Sequence, residues 1–235
     1  MTITDVNAVE GTGAAFTLDG FMEVRARTRK AVHMIAEQIM PGMSEEKAKE
    51  IARSTLASLE MRRGWHHIIV RCGPNTTKDF MERSEPGVVL GDNDIFFIDI
   101  GPVYGDFEGD AGDTFVFGDN PLHLKAKADV REIWEIVRAK WFNEQVTGVE
   151  LYEFAIKATE EFGWKLNMDL SGHRLSDYPH SAHYDGPLAE VGFTPNPNLW
   201  VLEIAIAHPD GTFGAFYEDL LLQDQSFPAG TVPSS

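Results

Sequence analysis

Cysteine is nearly absent from the sequence: Cys72 is the only one among 235 residues, so no internal disulfide can form and nothing demands an oxidising compartment. No apolar run approaches the roughly 20 residues needed to span a bilayer. The N-terminus, MTITDVNAVEGTG, lacks both the basic flank and the apolar stretch of a signal peptide. These absences read as a cytoplasmic protein. Positive charge is also scarce, with 20 Lys and Arg against 37 Asp and Glu and a formal net charge of −17. The longest basic clusters, Arg25 to Lys30 and Arg62-Arg63, fall inside helical patterns where they read as solvated faces. With no concentrated basic patch, phosphate backbones and anionic lipid repel the chain. Nucleic acid and membrane are thereby excluded as primary partners.

The chain is 43% apolar, ordinary for one large domain or two small ones. Residues 1–17 are polar and read as a loose segment. From Phe21 the apolar residues Val24, Ala31, Val32, Ile35 and Ile39 recur at three and four, one stripe of a helix. Pro41-Gly42 ends it, and Ser44 ahead of Glu45 and Glu46 caps a second helix that should reach about Arg63 and stop at Gly64. Strand-like segments follow at His67 to Val70 and Ile95 to Ile100. The same grammar returns with a helix from about Leu122 to Glu144, a turn at Thr147-Gly148, and a second helix running to Phe162 before Gly163-Trp164. Helix, glycine turn, helix, Gly-Trp and strands thus occur twice, at Gly64-Trp65 and at Gly163-Trp164. The expectation is an α+β fold in one pseudo-duplicated domain over 18–235, with repeats at about 18–118 and 119–225, since no Pro-, Gly- or Ser-rich linker divides it.

Two hairpin segments each carry a pair of carboxylates. Residues opposite one another in an antiparallel hairpin point to the same face. In the segment from Phe96 to Val116, a turn centred between Tyr104 and Gly105 sets Asp99 opposite Asp110. In the segment from Trp200 to Leu222, Asp210-Gly211 is a strong turn signal and sets Glu203 opposite Glu218. A single acid in a strand is most often an ordinary surface residue. Two facing pairs on half-buried sheets are destabilising unless a cation neutralises them, and four carboxylates suggest more than one ion. Asp106, Glu108, Asp113 and Asp219 lie close by, and the first two, near the turn, read as solvent-exposed. A histidine-dense stretch, Gly172-His173-Arg174-Leu175-Ser176-Asp177-Tyr178-Pro179-His180-Ser181-Ala182-His183, offers an imidazole ligand and a substrate-contacting donor. Trp65-His66-His67 reads equally well as an aromatic plug with one exposed histidine.

In that order Asp99, Asp110, His173, Glu203 and Glu218 resemble the five-ligand dinuclear site of the pita-bread metallopeptidases, the family of methionine aminopeptidase, aminopeptidase P, prolidase and creatinase. The similarity runs from about residue 20 to the end. It includes the helix-linking turn Pro41-Gly42-Met43-Ser44-Glu45, the Gly73-Pro74-Asn75 loop of the Xaa-Pro branch, the ten residues between Asp99 and Asp110, His180 seven residues after His173, and Glu218-Asp219. Aminopeptidase P and prolidase carry a large N-terminal domain that this sequence lacks.

The resemblance implies a pita-bread fold, a curved antiparallel sheet with helices on its outer face, and metal-assisted hydrolysis. Two divalent ions share a bridging water whose pKa they lower toward neutrality. Asp99 then binds one ion, Asp110 and Glu218 bridge both, and His173 and Glu203 complete the shells. Glu203 also shuttles the proton to the leaving nitrogen, and His180 donates to the substrate carbonyl. Such a donor set suits manganese, iron or cobalt, with zinc as an alternative.

The pocket motifs depart from the family. The Gly-Pro-Asn loop leads to Thr76-Thr77-Lys78-Asp79-Phe80 rather than to a Pro-His pair, Arg174 stands where the family has glycine, Ser181 follows His180, Ile204 follows Glu203, and Phe216-Tyr217 precedes Glu218. The leading reading is a metallopeptidase cleaving short peptides. The alternative is a non-peptidase on the same scaffold, a creatinase-like C–N hydrolase or a lyase, holding a small metabolite through Arg174, Tyr178, His180, His183 and His66 or His67. Relatives are commonly homodimers, although no stripe in this sequence marks an interface.

Overall fold

The computed structural model describes residues 5–223, so residues 1–4 and 224–235 of the expected domain lie outside it. Asp5 accepts from the N–H groups of Asn7 and Ala8 and opens a single turn, α1 (Val6–Val9). The following residues, expected to be loose, are tied down: Val9 is buried, its carbonyl and that of Gly11 accept from Arg174, and Glu10 accepts from the Trp200 indole.

Helix α2 (Leu18–Ala36) buries Phe21, Val24, Ala31, Val32 and Ile35, the stripe read from the sequence. Ser44 accepts from the Lys47 N–H and caps α3 (Glu45–Ser58). This helix ends five residues before the expected Arg63 because Glu60 takes a left-handed conformation (φ 57°) and the Met61 N–H folds back to the Leu56 carbonyl. The stop lacks a glycine, so the sequence does not announce it. The chain continues as β1 (Arg63–Gly64) and, after an irregular step, β2 (Ile69–Cys72). Then come β3 (Ile95–Ile100), β4 (Pro102–Tyr104), β5 (Phe107–Glu108) and β6 (Ala111–Val116). Helices α4 (Pro121–Glu144) and α5 (Gly148–Glu161) follow, the second opened by a reciprocal Thr147 and Glu150 capping box. Short strands β7 (Lys165–Leu166) and β8 (His173–Arg174) precede the long pair β9 (Trp200–Ala207) and β10 (Gly214–Leu220).

The strands form antiparallel sheets in the orders β1-β4-β5, β2-β3-β6 and β10-β9-β7, with β8 also paired to β9. Helices α2 and α3 cover the first half's sheet through a core that includes Ile35, Leu56, Phe96 and Ile98. Helices α4 and α5 cover the second through Ile133, Trp134, Tyr152, Leu202 and Ile204. The halves meet where the Thr114 hydroxyl accepts from the Phe216 N–H at 2.7 Å and donates to the Phe216 carbonyl at 2.8 Å. Gly112 makes that approach possible, since a Cβ there would stand 2.3 Å from the Phe216 ring and 2.8 Å from Glu218 Oε1. Glu218 is thereby carried against the carboxylates of the first half. Among the described residues, no helix is long and apolar enough to cross a membrane.

Candidate metal centre

Strand alternation decides which acids face inward. Glu203 lies opposite Glu218 in the β9-β10 ladder, as the turn at Asp210-Gly211 predicts. Asp99 lies opposite Gly112, not Asp110. The first hairpin turns one residue later than expected, with Tyr104 paired to Phe107 around Gly105-Asp106, and Asp110 sits diagonally from Asp99 just outside β6. The face is still shared, because the shift moves the partner by two positions. Asp219 points the other way, to Arg25 and Arg29, and Asp113 to Arg131. Those two acids are neutralised by helix side chains.

Asp99, Asp110, Glu203 and Glu218 are 5%, 4%, 9% and 1% exposed, a density of buried charge that no lysine or arginine offsets within the cluster. Single atoms from Asp110, His173, Glu203 and Glu218 come within 4.8 Å of one another, and so do atoms from His66, Asp99 and Asp110. Asp110 belongs to both groups. His173 Nε2 is 2.9 Å from Asp110 Oδ2 and 3.5 Å from Glu203 Oε1, while its Nδ1 donates to the Arg174 carbonyl at 2.8 Å. Glu203 Oε2 accepts from the Gly172 N–H at 3.0 Å. Both Asp110 oxygens and Glu218 Oε1 are buried with no donor in hydrogen-bond geometry. Orphaned carboxylate oxygens beside two imidazoles form a donor set that fits divalent transition metals.

The electrostatics point the same way. Burial, reinforced by Asp110 and Glu203 against the pull of His66, raises Asp99 to about 7. Burial also raises Glu203, and it drives Glu218 well above the ordinary carboxylate range. Burial would lower both histidines, but their carboxylate neighbours reverse this and hold His66 at about 9 and His173 at about 10. Asp110 moves down despite its burial because the neighbouring His173 and His66 imidazoles stabilise its charged form. Without metal, the fold therefore retains protons that the unfolded chain would release.

A raised folded pKa gives stability that is complete below the unfolded value, about 3.9 for Asp and about 6.5 for His, and is lost as pH climbs through the folded value. For the metal-free protein that window runs upward through about 7 for Asp99 and about 9 for His66. Manganese or cobalt should accordingly raise the melting temperature more at pH 8 than at pH 5.5, as thermal denaturation at the two pH values would show. Equal shifts at both would contradict a site that exchanges protons for metal.

A sequence model of metallopeptidase family M24 matches residues 19–224. The chain belongs to that family. No curated protein sequence matches it significantly. Among solved structures, the prolidase from Thermococcus sibiricus shares 17% identity at a TM-score of 0.71, over 86% of this chain and 55% of that one. The X-Pro aminopeptidase from Thermotoga maritima shares 18% at 0.68, over 94% and 63%. The methionine aminopeptidase from Thermotoga maritima shares 14% at 0.68, over 92% and 99%. The chain thus spans little more than half of the first two and nearly all of the third. The architecture is the pita-bread fold of the M24 family.

Above the cluster lies a cavity of about 340 Å³ bordered by Trp65, His66, Phe80, Leu170, His180 and Pro187. His180 reaches it as the sequence reading expects, its ring stacked 5.5 Å from that of His173. Its Nδ1 lies 2.6 Å from Glu108 Oε2. Glu108, expected at the surface, is 1% exposed and also accepts from the His180 N–H, because β5 turns it inward.

The other proposed substrate residues lie elsewhere. Arg174 is fully buried and spends its guanidinium on the carbonyls of Val9, Gly11, Leu175 and Leu199. The Tyr178 hydroxyl accepts from Arg63, His183 faces Asp177, and the exposed His67 packs on the Phe80 ring. Of the two adjacent histidines offered by the sequence, it is His66 that turns inward, toward Asp99 and Asp110. A strand carried straight back from Ile69, which pairs with Asp99, would aim His67 at the site, but the irregular step between β1 and β2 breaks the two-residue period. Asp169 and Asp185, at the cavity's edge, carried no signal in the sequence.

Proposed function

We propose that this M24 protein is a dinuclear metal-dependent hydrolase that cleaves short peptides from a free amino end. The observation that carries the reading is the buried carboxylate cluster with unpaired Asp110 and Glu218 oxygens at the floor of a cavity. Asp99, Asp110, His173, Glu203 and Glu218 would hold two ions, with manganese, iron or cobalt suited to the donors. Bound there, the ions supply a water acidified to near neutrality and polarise the scissile carbonyl. Glu203, anchored through Oε2 by Gly172 and raised by burial, accepts the proton of the attacking water on Oε1 and returns it to the departing nitrogen. His180, with Nδ1 held by Glu108, keeps Nε2 for the substrate carbonyl and its developing oxyanion. Trp65, Phe80 and Leu170 give the cavity an apolar wall beside the carboxylates. The carboxylates of Asp169 and Asp185 at its edge favour a substrate carrying a positive charge, such as a peptide ammonium group.

A second reading rests on the cavity's volume of about 340 Å³, near the lower end of the about 300–1,000 Å³ common for ligand sites. That size also suits a small cationic metabolite cleaved at a C–N bond. The test is a panel of di- and tripeptides, their N-acetylated forms, and amidino or betaine-like compounds, assayed with each metal after elemental analysis. Turnover of free-amino peptides, weakened at least about tenfold by N-acetylation, is the expected result. Turnover confined to the small compounds would transfer the assignment to the second reading.

A further inference from the structure

His66 is not one of the five residues of the ligand set, yet it lies against two of them, Asp99 and Asp110. Its side chain is 6% exposed, and its Nε2 is 3.5 Å from Asp99 Oδ1 and 3.4 Å from Asp110 Oδ1. Those separations are too long for a good hydrogen bond. They suit two atoms bound to one ion, because donors about 2.1 Å from a metal at angles of about 90–115° lie about 3.0–3.5 Å apart.

The other ring nitrogen fixes the orientation. His66 Nδ1 lies 2.8 Å from the His67 carbonyl oxygen, so Nδ1 carries a proton and Nε2, facing the two aspartates, is the nitrogen from which a metal ion would displace a proton. A ligand histidine is oriented in this way, with its second nitrogen tied to a carbonyl or carboxylate. His173 has the same arrangement, Nδ1 to the next residue's carbonyl at 2.8 Å and Nε2 toward Asp110. Two histidines from distant parts of the chain therefore converge on Asp110 with the same ring orientation.

The surrounding structure holds His66 in place. A Cβ on Gly101 would come within 2.0 Å of His66 Cδ2 and 2.3 Å of Nε2, so the ring occupies room that exists only because residue 101 is glycine. The Trp65 indole, its N–H on the Gly109 carbonyl at 2.9 Å, packs edge-on at 4.3 Å from the His66 ring centroid and closes the other side.

We infer that His66 is a sixth protein ligand, binding through Nε2 the ion held by Asp99 and Asp110, so that each of the two ions receives one imidazole. The inference rests on the proposed dinuclear reading. It has two consequences. One coordination position that a substrate amine could have taken is filled by protein, and a nitrogen donor at this ion shifts the site away from manganese toward iron, cobalt and zinc.

The experiment is to load metal-free protein with cobalt(II) and count hyperfine-shifted exchangeable protons by NMR, since each cobalt-bound histidine contributes its Nδ1–H. Two such signals are expected, one lost in His66→Gln and the other in His173→Gln. His66→Gln should also weaken one of the two cobalt ions by more than the roughly 10–100-fold that losing a mere hydrogen-bonding neighbour costs. A single signal in the wild-type protein overturns the proposal and leaves the dinuclear reading standing; that count decides the matter even if the variant fails to fold. Two signals that both persist in a folded His66→Gln also overturn it. Failure to bind cobalt at all overturns the dinuclear reading together with this one.

Discussion

Asp110→Asn should reduce bound metal from about two ions per chain to well below one and cut metal-dependent turnover by more than about 100-fold. The expectation follows from position: Asp110 is the one residue common to both groups of clustered ligand atoms, and neither of its oxygens has a donor in hydrogen-bond geometry. Asparagine keeps the shape while removing the charge and one acceptor, so the fold should survive. Elemental analysis and the melting temperature with and without manganese provide the readout. The wild type should be stabilised by metal, and the variant should not respond. Retention of two ions by a folded Asp110→Asn protein would remove the dinuclear centre from consideration.

The second large effect concerns folding. Arg174→Ala should lower the unfolding free energy by about 3–5 kcal/mol, because buried carbonyls that lose their donor cost about 1–3 kcal/mol each and water that enters recovers part of that, with little change in KM. Arg174 is fully buried and donates to four carbonyls at 2.7–3.1 Å. Burial lowers its pKa to about 10, which still leaves it protonated at neutral pH. Two of its acceptors, Val9 and Gly11, lie in the N-terminal segment, and the other two flank the path into β9. Deleting the side chain leaves these carbonyls unpaired and should release the segment from residue 5 to 17. Melting curves, together with hydrogen exchange at residues 9–16, would show this as a fall of roughly 6–20 °C with lost protection at the N-terminus. An unchanged melting temperature with a raised KM would return Arg174 to a substrate role.

The contrast between Glu203-Glu218 and Asp99-Asp110 shows how far local rules reach. Asp210-Gly211 sits in a continuous hairpin, so the pairing of β9 with β10 follows from the turn. The first hairpin is interrupted at Gly101 and Gly109 between short strands, and its turn falls one residue late. The error did not hide the site, because a shift of two in partner leaves the face unchanged. Asp219 and Glu218 are neighbours in sequence with similar burial, and only the approach of Arg25 and Arg29 from α2 shows which one is neutralised by protein.

By itself the sequence determined the elements and their chemistry. Apolar periodicity specified the helices, strand-like runs and the Asp210-Gly211 turn specified β3, β9 and β10, and the order of acids and histidines specified the family, because these signals are written in near neighbours or in fixed spacing. The tertiary structure decided what depends on residues distant in the chain. Gly112 lets Glu218 meet the first half, Glu108 turns inward to hold His180, and Arg174 fastens the N-terminus instead of reaching the cavity. His66 enters the site in place of His67 because the chain between β1 and β2 leaves regular strand geometry. A period of two orients side chains only while the strand continues; across an irregular step, the packing of the rest of the molecule sets the direction.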